Sequence, residues 1–141
     1  MSSTLIALAA LAAAPALAST PLQVGQTRSC LSNGEGKQLF ITVGRIEPFD
    51  QDHTAVSVSL FNEAPGAQVP GVAHAPIDSV VLETSCPNIA THSFPLSPEF
   101  EQGYGQWKDA NGGLFTVTVD RIYDMAVSAM AKAGIRSADV H

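Results

Sequence analysis

Thr54-Ala55-Val56-Ser57-Val58-Ser59-Leu60-Phe61 is the stretch on which the fold turns. Val56, Val58 and Leu60 alternate with Ala55, Ser57 and Ser59, a period of two that a β-strand converts into one apolar face. The pattern predicts a dry face against a core and a second face that tolerates water. Upstream, Lys37 to Ile46 alternates as well, with Leu39, Ile41 and Val43 on one face and Phe40, Thr42 and Ile46 on the other. Apolar residues on both faces predict a central strand. Glu47-Pro48-Phe49-Asp50-Gln51-Asp52 separates the two runs, a connection short enough for an antiparallel hairpin.

Downstream, Asn62 to Pro76 is rich in Pro, Gly and Ala and reads as a loop, with Val69-Pro70-Gly71-Val72 placed for a type II turn. Ile77 to Thr84 predicts a third strand running up to Cys86, and Pro87 ends it because proline cannot donate to a ladder. In the next broken region Ser97-Pro98-Glu99 supplies a helix start: an N-cap residue, Pro at the first position and an acid in the first turn. Phe100, Tyr104 and Trp107 recur at helical spacing and Asn111-Gly112-Gly113 supplies a stop, so a short helix is expected over Pro98 to Ala110, weakened by Gly103 and Gly105. Leu114 to Val119 predicts a fourth strand. It passes into a helix capped by Asp120, with Ile122, Met125, Ala126, Ala129, Met130 and Ala133 as one stripe, Lys132 at its negative end and Gly134 as its stop. Ser19 to Arg28 reads as extended and Ser32 to Gly36 as a turn.

These elements predict an α+β fold: an antiparallel sheet of about four strands with the C-terminal helix packed on one face and a second short helix. The strand-helix alternation of a doubly wound parallel sheet is missing.

The first residues tell of address. Leu5 to Leu17 is uncharged and apolar, too short for the roughly 20 residues of a spanning helix and of the length of a secretory signal. Ala16-Leu17-Ala18 offers the small-x-small cleavage pattern, so residues 1–18 are expected to be a cleavable signal peptide and residues 19–141 one periplasmic or secreted domain. Met1 to Thr4 lacks the usual Lys or Arg. No Cys follows the apolar run at the spacing of a lipid anchor, and no stable membrane insertion is expected after signal removal. In an oxidising compartment, Cys30 and Cys86 are expected to form one disulfide. In the chain-entropy model, closing a loop of about 57 residues stabilises by about 4 kcal/mol.

Thirteen acidic residues outnumber seven basic ones, a net charge of −6. That balance opposes binding to phosphate backbones and anionic membrane surfaces, so no nucleic acid is expected as partner. Motifs for nucleophilic, zinc or phosphate-binding chemistry are missing, and Gly34-Glu35-Gly36 precedes a strand where a dinucleotide site needs a helix. Asp50-Gln51-Asp52 starts like a calcium loop but Thr54 and Ala55 break the pattern. His53, His74 and His92 all fall in predicted connections, and nothing in their spacing demands convergence on a metal. No catalytic residue, metal site or cofactor is assigned. The aromatic group Phe94, Phe100, Tyr104 and Trp107 reads first as a lid buried on the sheet. Its functional reading is a partly exposed stacking surface. On that reading Phe100, Tyr104, Trp107 and His74 are the candidate binding residues. The expected function is that of a non-catalytic binding module for an unknown protein or small ligand of the cell envelope. The alternative is a small exported hydrolase using a loop histidine, His74 or His53, with a nearby carboxylate.

Overall fold

The computed structural model describes residues 20–67 and 69–133. The expected signal peptide (residues 1–18), Ser19, the Gly134 helix stop and His141 lie outside the described residues. Five strands, β1 (Thr27–Ser29), β2 (Leu39–Pro48), β3 (Thr54–Asn62), β4 (Gly71–Asp78) and β5 (Asn88–Ile89), form one antiparallel sheet in the order β4-β3-β2-β1-β5. Among the described residues three helices accompany it: α1 (Ser79–Ser85), α2 (Phe100–Asp109) and α3 (Val119–Lys132). The expected hairpin is β2–β3, closed by Phe49 and Asp50 N–H groups donating to the His53 carbonyl at 3.0 and 3.3 Å.

The core lies on the face that the alternation marked as dry. Ile41 and Val43 of β2, Val56, Val58 and Leu60 of β3, and Ala75 and Ile77 of β4 pack there against Leu82 of α1 and Val119, Ile122 and Tyr123 of α3. Deep in this layer the Tyr123 hydroxyl donates to the Val69 carbonyl at 2.5 Å and accepts from the Asn62 amide at 2.7 Å. Cys30, just beyond β1, is bonded to Cys86 at the end of α1.

The second face is not wet, contrary to the expectation for Ala55, Ser57 and Ser59. Ser57 and Ser59 are 1% and 0% exposed. They face a third layer, made of α2 and the segment leading into it. The Ser59 hydroxyl donates to the Ala73 carbonyl at 2.8 Å and accepts from Ser97 N–H at 3.0 Å, while Thr42 donates to the Phe94 carbonyl at 2.8 Å. The Phe94 ring sits between Phe40 and Phe61, 5.2 and 5.5 Å away. Small hydroxyl side chains at strand positions thus admit a close covering layer and satisfy its backbone.

Several expectations for local structure are overturned. Gly71 opens β4 with no positive φ; among the described residues of that connection the left-handed one is Gly66, at φ 74°. Asn62 to Pro76 therefore contains a strand, and Pro76 fits it because this is an edge. The Pro76 carbonyl accepts from Phe115 N–H at 2.9 Å on the outer side, so the missing proline N–H falls on that side and not toward β3. Ile77 to Thr84 is a strand only to Asp78. The Asp78 carboxylate then accepts from Val81 N–H at 3.4 Å and starts α1. Leu114 to Val119 is no strand beyond a single parallel bridge from Phe115 to Ile77. The α3 cap is Thr118, whose hydroxyl accepts from Arg121 N–H at 3.3 Å, while Asp120 binds Lys37 at 2.9 Å. A register shift between Val43 and Arg45 also places Ile46 opposite Val56, on the core side, and not with Phe40 and Thr42.

Candidate functional site: an aromatic groove at the hairpin end

Helix α2 begins without the expected cap. Ser97 is one of its ties to the sheet, and the N-cap is Glu99, with no side-chain bond to the first turn. Phe100, Gly103, Tyr104 and Trp107 recur at three- and four-residue spacing, which puts them on one face of a helix. That face lies against β2, β3 and β4. Phe100 is buried over Gly44, where a Cβ would collide with the phenyl Cζ. Gly103 meets His74 so closely that a Cβ there would stand 2.7 Å from the histidine Cβ.

All four sequence-derived candidates are thereby brought together. The His74 ring lies 5.4 Å from Phe100, 5.8 Å from Tyr104 and 5.7 Å from Trp107. His74 belongs to strand β4, not to a loop, and its Nε2 is 2.9 Å from the Ser57 hydroxyl. Burial holds the imidazole below its ordinary pKa, with the Glu101 charge acting the other way. Phe100 is 1% exposed and serves as floor, while Tyr104 and Trp107 are half-buried and reach the surface.

A charged rim surrounds these rings. The Tyr104 hydroxyl donates to Glu47 Oε1 at 2.5 Å and Lys108 Nζ lies 3.0 Å from Glu47 Oε2. The tyrosine bond, and then the lysine, hold the Glu47 carboxyl below its usual range. Arg45 sits 4.3 Å above the Tyr104 ring and binds Glu101 at 2.9 Å. Further out, Phe49 of the hairpin stacks on Trp107 at 6.4 Å with planes 22° apart. The indole N–H donates to the Gly113 carbonyl at 2.9 Å. Asn111 takes φ 51°, and Gly112 leaves the space that its Cβ would take from the indole. Glu47, Phe49, Trp107, Lys108, Asn111 and Gly112 line the resulting groove, of about 330 Å³.

Sequence reasoning reached Trp107 and Tyr104 but missed Glu47, Phe49 and Lys108. The available signal was an aromatic residue inside a hairpin turn, Pro48-Phe49-Asp50, where burial by its own strand is impossible.

The histidines make two half-constellations. Ser57 and His74 pair with no carboxylate accepting from His74 among the described residues. His53 Nδ1 lies 2.8 Å from Asp50 Oδ1 on the exposed hairpin turn, a bond that raises the His53 pKa and lowers that of Asp50. His92 is exposed elsewhere. Among the described residues no three His, Cys, Asp or Glu side chains gather as metal ligands.

No protein-family model, curated protein or solved structure matches the chain.

Proposed function

We propose that this chain is a small exported binding module whose hairpin-end groove takes a sugar. The observation that carries the reading is the Phe49–Trp107 stack beside a carboxylate, an ammonium and an amide in one groove. An aromatic face suits the apolar C–H face of a pyranose, while Glu47, Lys108 and Asn111 offer an acceptor, a donor and a mixed group to ring hydroxyls. Export is supported by the apolar run of residues 5–17 and by the Cys30–Cys86 bond, which suits an oxidising compartment.

Trp107 is the single tryptophan of the chain, so its emission reports on the groove directly. Titration with a panel of neutral and acidic oligosaccharides is expected to shift that emission for at least one of them. Phe49→Ala is expected to weaken the response by up to about tenfold, the worth of one aromatic contact. Unchanged emission across the panel, together with an empty glycan array, would overturn the reading.

The hydrolase alternative keeps one observation in its favour, the Asp50–His53 pair, which has the geometry of an oriented general base. Hydrolysis of a chromogenic ester or glycoside that disappears in His53→Ala would favour it.

A further inference from the structure

On the opposite side of the sheet, a second surface has the chemistry of a lipid-chain site. A hollow of about 430 Å³ lies between α1, the Thr116–Thr118 segment and the start of α3, lined by Val80, Val81 and Val117 with Arg121 at its lip. A smaller hollow of about 240 Å³, reaching out to Leu31, shares Thr84, Ser85 and Thr118 with it. The two form one trench whose ends carry the exposed apolar side chains Val80 (67%) and Leu31 (61%).

Three of the hydroxyl groups along the trench are engaged within the fold. Thr84 donates to the Val80 carbonyl at 2.9 Å, Ser85 accepts from Val119 N–H at 3.2 Å, and Thr118 accepts from Arg121 N–H at 3.3 Å. What they present to a ligand is chiefly hydrocarbon. Charge is confined to the rim. Asp120 is held by Lys37 at 2.9 Å, which also binds Asp124 at 2.8 Å, whereas among the described residues no carboxylate pairs with Arg121. An apolar trench with one uncompensated cation at its lip is complementary to a molecule with a hydrocarbon chain and a single anionic head.

We propose that this trench binds a straight-chain fatty carboxylate, the chain lying over Val81, Thr84 and Val117 and the carboxylate meeting Arg121. A peptide fits less well, because its backbone N–H and C=O groups would lie against valine side chains without partners. The site is separate from the aromatic groove, and neither proposal depends on the other.

The test is an amide-resolved NMR titration of the full chain with octanoate, decanoate and dodecanoate below their micellar concentrations. Shifts are expected at Val81, Thr84, Val117 and Arg121 and not at Trp107. Affinity is expected to rise about fourfold for each methylene buried. Arg121→Gln is expected to weaken carboxylate binding about tenfold, the loss of one charge-assisted hydrogen bond. Arg121→Glu is expected to invert the preference toward dodecylamine. Val81→Ser, a milder change on the trench wall, is expected to weaken every chain length while leaving the spectrum folded. Affinity independent of chain length, indifference to Arg121→Gln, shifts centred elsewhere, or tighter binding of a peptide ending in apolar residues would each overturn the proposal.

Discussion

Two glycines of α2 sit two residues apart and should respond to the same substitution with opposite signs. Replacing glycine by alanine inside a helix stabilises it by about 1 kcal/mol, through lost backbone freedom in the unfolded chain. At Gly105 nothing lies within 4 Å of the new Cβ, so Gly105→Ala should deliver that gain in full. At Gly103 the new Cβ would stand 2.7 Å from His74 Cβ and 3.6 Å from its Cγ. The crowded atom is next to the β4 backbone and cannot swing aside by a rotamer change. Overpacking of this kind costs about 1–3 kcal/mol, so Gly103→Ala should be net destabilising by up to about 2 kcal/mol. The two variants should differ by about 1 to 3 kcal/mol, the overpacking cost itself, or about 4 to 12 °C in melting temperature at roughly 4 °C per kcal/mol for a domain of this size. Thermal and urea unfolding with the disulfide intact measures this directly. Equal stability of the two variants would refute the seating of α2 on His74, and with it the assembly of the aromatic cluster.

Protonation should read on the same contact. His74 is held below its ordinary pKa by burial, so the unfolded chain takes up the proton first. Its contribution is complete above about pH 6.5 and declines as pH falls toward the folded value. Urea midpoints from pH 7.5 to 5 should therefore drop less in His74→Gln than in the parent. His53, held above its ordinary value by Asp50, acts in the opposite sense, its contribution present below about pH 6.5 and lost as pH rises through the folded value; His53→Ala should remove it. Tyr123→Phe should cost about 1–3 kcal/mol in chemical denaturation, because the Val69 carbonyl and an Asn62 N–H both lose their buried partner. Reduction of Cys30–Cys86 should cost about 4 kcal/mol on the loop-entropy model, and mass spectrometry of the exported protein should find Ser19 first and two hydrogens missing.

Much of the architecture could be read from periodicity where one signal acted alone. The β2–β3 hairpin, the short aromatic helix and the C-terminal helix all came from repeats of two or of three to four apolar residues. Failures came where two rules competed. Val80, Val81 and Leu82 favour a strand on propensity, yet Asp78 caps a helix and Leu82 turns into the core, and tertiary packing overrides local preference. Gly71 and Pro76 look like loop residues, and only the position of β4 at the sheet edge makes them compatible with a strand. Ser57 and Ser59 read as solvent-facing because alternation reports polarity, not exposure, and the covering layer is remote in sequence. The site was half legible for the same reason. The Phe100, Tyr104 and Trp107 spacing is local, whereas the approach of Phe49 and Glu47 to that helix depends on how the hairpin folds over.

The disulfide divides the molecule in a way that matters to a protease. Its covalent ring runs from residue 30 to residue 86 and encloses β2, β3, β4 and α1; both α2 and α3 lie outside it. A nick in the exposed Glu63–Ala67 turn would leave the two pieces tethered, visible as separate bands only after reduction. A nick between His92 and Ser97 would release the aromatic helix and the C-terminal helix together as one fragment, with or without reductant. The helical wall of the groove, with Trp107, Lys108, Asn111 and Gly112, is therefore carried on the part of the chain that a single cut can detach, while Glu47 and Phe49 stay with the disulfide-closed ring.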